Sequence, residues 1–422
     1  MLEALRNAFR ISDLRQKILY TLGLLVVFRI GSYIPVPGVD AATLRELLDI
    51  SGGNVFAFLD LFAGGALGNF ALFAMGVNPY ITSSIILQLL QVVIPRLEEL
   101  AKEGIEGRKQ IAQYTRYGTV ILGIVQAIGL TALARSYGVI ASPTFFTMTV
   151  IVASLTAGTL FLTWIGEKIS EKGIGNGVSL IIFTGIVARF PSQIGFAIRA
   201  VGEGGVSVFS LLLYFVLAVI VIAGVVMVQE GQRRIPVQYA RRVVGRRVLG
   251  GQSTHIPLRV NQAGVIPVIF ASSLLTFPLT LGQFVPSLSR FTDWLAVGGV
   301  GYNIVYALLV VFFTYFYTAV TFNPRDVADN MRKYGGFIPG LRPGKPTADY
   351  LDRVLTRITL LGALFLAFIA VLPFVMAAVT RMPTQILSFG GTSLLIMVGV
   401  ALDTMKQVEA QLLMRHYEGF IR

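Results

Sequence analysis

The sequence contains no cysteine, and this absence excludes disulfides, thiolate chemistry and cysteine-ligated metals. Histidine is almost as scarce. The two copies, His255 and His416, lie in polar segments and predict neither a Ser-His-Asp triad nor a histidine metal site. The glycine-rich stretch GIGNG, residues 173–177, lacks the spacing and strand context of a dinucleotide-binding fingerprint. We therefore expect no enzyme activity, no cofactor and no metal.

Charged side chains are also scarce. Only 14% of the 422 residues are charged, whereas about 25% is usual in a soluble domain. Hydrophobic residues make up 55% of the chain, and they fall in runs that approach the roughly 20 residues a helix needs to cross a bilayer. The composition predicts an all-α polytopic membrane protein.

Ten apolar runs qualify as membrane spans, numbered here in chain order, and an even number places both termini on one side of the membrane. The first 17 residues are amphipathic and lack a signal-peptide cleavage site, so they predict a short surface helix before span 1. GIGNG is expected to open span 5. The ten runs are centred on residues 18–35, 78–94, 117–134, 146–165, 174–189, 207–228, 262–283, 303–321, 358–378 and 386–404.

The distribution of Lys and Arg predicts the orientation. The polar connections that begin at residues 95, 166, 229 and 322, and the tail from 405, lie on the same side as the N-terminus. That side carries 28 of the 35 basic and 16 of the 22 acidic residues, a net charge of +12 against +1 on the other side. Because cytoplasmic loops carry the excess of Lys and Arg, both termini are predicted to be cytoplasmic.

One nine-residue pattern occurs twice. GVNPYITSS, residues 76–84, and GVIPVIFAS, residues 264–272, share five identities at a spacing of 188 residues. The first copy begins span 2 and the second begins span 7. Five spans separate them, so the copies run in opposite directions, as in an inverted repeat whose working site lies between the halves. The alternative is that these are two ordinary helices started by proline.

The segment before span 2, DLFAGGALGNFALFAMG, is apolar but interrupted. Gly64, Gly65 and Gly68 each weaken a helix by about 1 kcal/mol. The segment predicts a short, marginal helix, either a movable re-entrant element in an internal cavity or an amphipathic helix on the outer face. Asn78 and Pro79 then predict the start of a sound helix, with Asn78 as its cap.

The spans contain few ionisable groups, chiefly Asp403 and Arg29, which argues against an ion-coupled carrier. Aliphatic pairs share helix faces instead, and alone such pairs are typical of ordinary packing. Small polar residues along spans 2 and 7 would allow a helix contact that can open, since hydrogen bonds between spans are worth about 0.6–2 kcal/mol. These polar residues are Thr82, Ser83, Ser84, Gln88, Gln91, Ser272, Ser273 and Thr276.

Two cytoplasmic loops are long. Loop 229–261 carries seven Arg against one nearby acid, Glu230, and its β-like stretches favour an extended hairpin although Pro236 interrupts one of them. Loop 322–357 is mixed in charge and centred on a Gly-Leu-Arg-Pro-Gly turn around Arg342. Basic loops can simply fix topology or contact lipid headgroups. Seven Arg are more than topology requires, and they favour docking of an acidic partner or RNA.

Eight motifs occur in order along the chain: GVNPYITSSIILQLLQVVIP, EGRKQIAQYTRYGT, EKGIGNGVSLIIF, RRIPVQYARRVVGRR, QSTHIPLRVNQAGVIPVIFASS, FNPRDVADN, PGLRPG and FGGTSLLIMVGV. They resemble the SecY family of protein-conducting channel subunits over essentially the whole chain. The resemblance implies ten helices in two inverted five-helix halves, 1–200 and 201–422, around an hourglass pore in the cytoplasmic membrane. It also implies a passive gated channel that translocates unfolded secretory polypeptides and releases membrane-protein segments laterally into the bilayer.

The resemblance further implies four groups of site residues. The pore ring would be Ile81, Ile85, Val178, Ile182, Ile269 and Ile396, with Val178 where the family often has Ile. The plug would span about residues 60–72, with Asp60, Leu61, Phe62, Gly64, Gly65, Leu67, Gly68, Asn69 and Phe70. The lateral gate would include Ser84, Ile86, Gln88, Ser273, Thr276 and Phe277. Docking would use Arg241, Arg242, Arg246, Arg247 and Arg342.

The partners implied are the SecE and SecG subunits, the SecA ATPase or the ribosome with its RNA, signal sequences, nascent polypeptides and membrane lipids. Two other function classes stay open from the residues alone: an inverted-repeat carrier of small solutes, and an intramembrane enzyme. The carrier would bind and exchange a small substrate by itself. The enzyme would need catalytic polar residues in its spans, and we find none in the sequence.

Overall fold

The structure is a computed structural model, and it describes residues 9, 11–40, 60, 63–140, 142–202, 207–239, 242–244, 247–249, 253–282, 294–295, 299–380 and 391–418. Among these residues, ten helices of 16 to 36 residues coincide with the ten predicted spans, and they keep the span numbers. Spans 1 to 5 are Ser12–Gly31, Asn78–Val93, Ile105–Ser136, Phe145–Lys172 and Gly177–Gly202. Spans 6 to 10 are Val208–Glu230, Ile266–Gly282, Val300–Thr321, Lys345–Thr380 and Thr392–Glu418.

Several helices run beyond their apolar runs, because a helix can continue into water where hydropathy no longer marks it. Span 5 continues through Pro191 to Gly202, and span 9 begins at Lys345 rather than near 358. Span 1 begins at Ser12, inside the segment predicted as a surface helix. Residues 1–8 and 10, the rest of that prediction, lie outside the described residues.

Six of the described helices, spans 3, 4, 5, 6, 8 and 9, are each long and apolar enough to cross a bilayer. Span 2 joins them when it is taken with the helix Pro95–Lys102, from which it is bent by 103°. Spans 1 and 10 fall short of that measure because charged residues interrupt them, and span 7 because it is short, 17 residues. Spans 2, 7 and 10 are among those that carry the predicted pore ring.

Helix packing repeats between the two halves of the chain. In the first half, span 2 packs on span 3, span 3 on span 4 and span 4 on span 5, while span 1 lies against spans 4 and 5. Adding five to each number gives a second set of packed pairs: 7 with 8, 8 with 9, 9 with 10, and 6 with 9 and 10. The halves meet where span 2 contacts span 7 and span 5 contacts span 10. Equivalent spans are thus paired across the junction, as an inverted repeat requires.

The two copies of the repeated pattern begin their helices in the same way. Gly76 and Gly264 both adopt the left-handed region, with φ of 57° and 64°, which glycine enters without steric cost. Each helix starts two residues later, at Asn78 and at Ile266. The spacing of 188 residues is therefore kept in the structure as well as in the sequence.

Hydrogen bonding repeats at these starts too. The Ile81 amide donates to the Val77 carbonyl at 3.0 Å, and the Ile269 amide donates to the Val265 carbonyl at 3.3 Å. One prediction is wrong here: Val77, not Asn78, is the N-cap, and no side chain caps the helix. A left-handed glycine followed by a buried valine takes the place of a polar cap.

The two long loops that were predicted to be cytoplasmic fold together. Strand β1, Gln232–Tyr239, pairs antiparallel with β4, Ser253–Arg259, and on its other side with β5, Gly336–Phe337. Strands β2, Arg242–Val244, and β3, Arg247–Leu249, form a small separate hairpin. The sheet packs with the short helix Pro324–Lys333 and the start of span 9 around a core of Ile235, Val237, Leu258, Met331, Ile338, Leu351 and Leu355.

The extended hairpin predicted for loop 229–261 is confirmed despite its proline. Pro236 pairs with His255 of β4, while the two-residue β5 reaches only Gln238 and Tyr239. Among the described strands, Pro236 therefore has a sheet edge on one side, which is where strands accept proline.

Candidate pore, plug and docking surfaces

The six residues predicted as a pore ring all lie in or against the apolar interior of the bundle. They lie on spans 2, 5, 7 and 10, the helices that join the two halves, within one apolar cluster. Val178 is partly buried and packs against that cluster. The other five are at most 5% exposed: Ile81, Ile85, Ile182, Ile269 and Ile396.

Local structure explains these positions. Ile81 and Ile269 each lie in the first turn of their helix, after the repeated Gly-Val start. On span 5, the start is fixed by GIGNG: Gly175 has φ of 88°, and the Asn176 side chain accepts a hydrogen bond from the Ser179 amide at 3.1 Å. The prediction that GIGNG opens span 5 is confirmed. Chemically, the six side chains offer a passing group neither a hydrogen bond nor a charge.

The glycine-rich segment differs from its prediction. Asp60 and Ala63 are helical, but residues 64–76 form consecutive turns rather than a helix. Gly64 and Gly65 have φ of 67° and 89°, so the chain leaves the helical region there. Leu61 and Phe62, also predicted plug residues, lie outside the described residues.

Burial decides between the two interpretations of this segment. Its apolar side chains lie in the same cluster as the predicted pore ring, whereas a helix on the outer face would expose one side to lipid or water. Gly64 also lies directly against Gly185 of span 5, since a Cβ added to Gly64 would be 2.8 Å from the Gly185 Cα. The segment is therefore internal. Its members at most 3% exposed are Ala63, Ala66, Leu67, Phe70, Ala71, Phe73 and Ala74.

Polar contacts hold the segment together. One carboxylate oxygen of Asp60 accepts hydrogen bonds from the amides of Leu67 and Gly68, at 2.9 and 3.0 Å. The other lies 2.9 Å from Arg189 on span 5, and Arg29 on span 1 donates to the Gly64 carbonyl at 2.8 Å. Sequence reasoning gave neither arginine a role. The available signal was only that charge is rare inside spans, and no pattern in the sequence pairs residues 60 and 189.

The predicted lateral gate lies where span 2 meets span 7. Its polar side chains bond mainly within their own helices: Gln88 donates to the Ser84 hydroxyl at 3.1 Å, and the Thr276 hydroxyl donates to the Ser272 carbonyl at 2.9 Å. Ser83 instead reaches span 3. The sequence predicted hydrogen bonds between spans 2 and 7. The observed bonds of Gln88, Thr276 and Ser83 correct that prediction.

The remaining gate residues differ in exposure. Ser273 is buried, whereas Ile86 is 42% exposed on span 2. The backbone of Phe277 lies in span 7, and its side chain lies outside the described part of the molecule.

The predicted docking residues are only partly described. Arg241 and Arg246 lie outside the described residues. Arg242 and Arg247 belong to the β2–β3 hairpin, where only the backbone is described.

Arg342 is exposed on a turn that the fold holds firmly. The buried Thr347 hydroxyl donates to the Arg342 carbonyl at 2.9 Å, and Gly340 and Gly344 flank the turn with φ of 84° and 102°. The Arg342 side chain is therefore held at the surface of the domain formed by the two long loops and is not buried in it.

A bundle of two inverted five-helix halves with a buried, turn-rich segment defines a class of membrane protein. The solved structure described as "The structure of a protein conducting channel" matches with a TM-score of 0.66, covering 93% of this chain and 91% of that one at 21% identity. A second, described as "The plug domain of the SecY protein stablizes the closed state of the translocation channel and maintains a membrane seal", matches with a TM-score of 0.65 at 20% identity, covering 93% and 91%. The fold is that of the protein-conducting channels.

Sequence comparison narrows the class to a family. The family model SecY matches residues 71–405. The protein translocase subunit SecY of Halalkalibacterium halodurans is 50% identical over 438 residues, and that of Thermotoga maritima is 48% identical over 431. Both alignments cover all of this chain, and they cover 100% and 98% of those proteins. The chain belongs to the SecY family and is a multi-pass membrane protein, which confirms the family and the fold class predicted from the motifs.

Proposed function

We propose that this chain is the channel-forming subunit of a protein translocase: a passive, gated pore for unfolded secretory polypeptides that also releases membrane segments sideways into the bilayer. One observation carries the proposal. Aliphatic residues of the four spans that join the two halves lie in the main buried apolar cluster, which also contains the apolar residues of the glycine-rich segment. Relatives of nearly equal length that are named protein translocase subunits support it.

The aliphatic ring suits a channel that accepts any polypeptide. Ile81, Ile182, Ile269 and Ile396 form no hydrogen bond or ion pair with a passing side chain, so no sequence is held back by binding. When the ring is narrow, its apolar surface disfavours water and ions, and the pore closes by dewetting. The same six side chains thus serve both the passage of polypeptide and the seal.

The glycine-rich segment acts as the plug. It fills the space beside the ring in the closed state and must leave when a polypeptide enters. Consecutive turns suit this role because Gly64 and Gly65 permit backbone angles outside the helical region. Movement then costs the apolar burial of Ala66, Leu67 and Phe70, together with the backbone hydrogen bonds to residues 34 and 36 and the polar contacts of the segment with spans 1 and 5.

The lateral gate opens between spans 2 and 3 on one side and spans 7 and 8 on the other. Polar groups at this seam find partners in their own helices, so separating spans 2 and 7 leaves those partners in place. A signal sequence would open the gate by binding the open arrangement better than the closed one. A small-solute carrier is disfavoured, since the six predicted pore-ring side chains are aliphatic and the described polar groups of spans 2 and 7 bond mainly to their own helices.

Partners and location complete the proposal. The subunit works with SecE and SecG in the cytoplasmic membrane, both termini cytoplasmic, with halves 1–200 and 201–422. It performs no chemistry itself, and energy comes from the SecA ATPase or from a ribosome docked on the cytoplasmic loops. Support for the ribosome comes from a fold neighbour described as "Sec61 in the Canine ribosome-channel complex from the endoplasmic reticulum", with a TM-score of 0.63 at 20% identity.

Reconstitution tests the function directly. The chain is co-purified with SecE and SecG, placed in lipid vesicles, and supplied with SecA, ATP and an unfolded precursor that carries a signal sequence. We expect precursor to become protected from added protease only when ATP and the signal are both present. Protection without the channel complex, or none from an intact complex that binds SecA, would contradict the proposal.

A further inference from the structure

Two arginines from different spans bind the beginning of the plug segment, at Asp60 and Gly64. Arg189, at the middle of span 5, places Nη1 2.9 Å from Oδ2 of Asp60. Arg29, near the end of span 1, donates from Nη1 to the Gly64 carbonyl at 2.8 Å. The second contact is made by Gly64 itself, the residue that packs against Gly185.

The Asp60 carboxylate makes contacts both within the plug and with span 5. Its Oδ1 accepts from two plug amides, Leu67 and Gly68, while its Oδ2 pairs with Arg189. The Asp60 side chain is only 9% exposed, and that of Arg189 is 27% exposed. Removing one partner of this largely buried ion pair leaves an uncompensated charge beside the seated plug, so a variant at either position destabilises the seated state. A plug that leaves must separate these ions.

The hydrogen bond from Arg29 to Gly64 is weaker than the ion pair, but it is well oriented. Its acceptor is a neutral carbonyl, and hydrogen bonds between two charged partners are the stronger class. Arg29 is aimed by Tyr33, whose hydroxyl accepts from Nη2 at 2.8 Å and whose ring lies 5.0 Å beneath the guanidinium. The arginine is thus held ready to meet the Gly64 carbonyl whenever the plug is seated.

We propose that the ion pair between Asp60 and Arg189, supported by the hydrogen bond from Arg29 to Gly64, is a latch. It determines how strongly a signal sequence must bind in order to open this channel. The inference rests on the proposed function and deepens it. The pore ring seals the passage, whereas the latch adds a polar contribution that is lost only on plug release. A signal must offset that contribution, so Asp60, Arg189 and Arg29 act as specificity-determining residues for the substrate.

The first test measures plug release without transport. Because the chain has no cysteine, Ala66→Cys places one thiol at a fully buried plug position. Maleimide labelling of the complex in nanodiscs then reports how often the plug leaves. With Asp60→Asn, which keeps an oxygen for the Leu67 and Gly68 amides, we expect labelling about tenfold faster, equivalent to about 1.4 kcal/mol. Arg189→Gln should do the same.

The matched control is Arg199→Gln, an exposed arginine on the same helix, which should leave labelling unchanged. The double variant Asp60→Asn with Arg189→Gln should label no faster than either single variant, since both remove one interaction. Additive effects would indicate general destabilisation instead of a latch. Arg189→Lys, which keeps the charge, should restore part of the slow labelling.

The second test measures selection. In vesicles with SecA and ATP, precursors with defective signals should be translocated by Asp60→Asn and Arg189→Gln but not by the unmodified channel or Arg199→Gln. Translocation of an intact precursor by the unmodified channel reports on the proposed function separately. If that precursor passes, yet Asp60→Asn labels slowly and still rejects defective signals, the latch is wrong and the channel function stands.

Discussion

The connection between spans 1 and 2 and the connection between spans 6 and 7 occupy equivalent places in the two halves, yet they do opposite things. Both end in the same left-handed glycine, Gly76 or Gly264, and lead into helices that start alike. Residues 64–76 of the first connection fold inward as an apolar run of turns. The second leaves the bundle as the hairpin β1–β4 and carries seven Arg.

The difference follows from the inversion. Equivalent connections of an inverted repeat lie on opposite sides of the membrane. A segment that returns into the bundle must be apolar and small, which suits glycine, alanine and leucine, whereas a segment in the cytoplasm can hold charge and display it. The helical frame is repeated, and the contents of its connections distinguish the buried glycine-rich segment from the arginine-rich hairpin.

The largest effect is expected on the docking side. Arg342→Glu reverses the charge of an exposed turn held by Thr347, so the membrane bundle should assemble normally while SecA-driven translocation is abolished. Assembly is measured by co-purification of SecE, and transport by protease protection in vesicles. Arg353→Glu, another exposed arginine of this domain, is the control and should retain most transport. Normal transport by Arg342→Glu would remove Arg342 from the docking surface.

A large but reversible effect is expected at the seam between the halves. Cysteines at positions 86 and 277, in this naturally cysteine-free chain, should form a disulfide on oxidation and block translocation until reduced. The physical reason is that spans 2 and 7 pack together and must part for a signal sequence to enter. Each single-cysteine variant should be insensitive to oxidant. A pair that never bridges, in a well-assembled complex, would mean that these positions do not face each other.

The smallest effect concerns the shared glycines. Gly76→Ala and Gly264→Ala force a side chain into the left-handed region, and each should lower stability by about 1–2 kcal/mol. Near-equal losses in thermal unfolding of the detergent-solubilised complex would sharpen the comparison, since the two starts are built alike. Gly195→Ala, at an open position within a helix, should cost nothing. A loss at only one of the two glycines would break the equivalence.

Most of the frame could be predicted from the sequence, because long apolar runs and repeated helix-start signals are local. The turns of residues 64–76 could not, since glycine lowers helix propensity without specifying what replaces the helix. The prediction that Asn78 is the N-cap failed for a related reason. The preference of asparagine for that position is outweighed by the buried Val77 and the left-handed Gly76, which start the helix instead. The pairing of Asp60 with Arg189 depends on tertiary packing across many residues, which no local pattern encodes.

The central claim is that aliphatic residues at the junction of the halves form the seal. Ile396→Asn tests it, because this side chain is fully buried in the cluster and belongs to span 10. A poorly paired amide there should weaken the closed state by about 1–3 kcal/mol. A shift of about 1.4 kcal/mol raises a rare open population roughly tenfold.

The deciding measurement is ion conductance of the reconstituted complex in planar bilayers, without precursor or SecA. We predict a higher resting conductance for Ile396→Asn than for the unmodified channel, together with passage of precursors that have defective signals. Ile220→Asn, at an exposed aliphatic in the middle of span 6, should impair folding without either gain. An assembled Ile396→Asn complex that stays non-conducting and simply loses export would contradict the account.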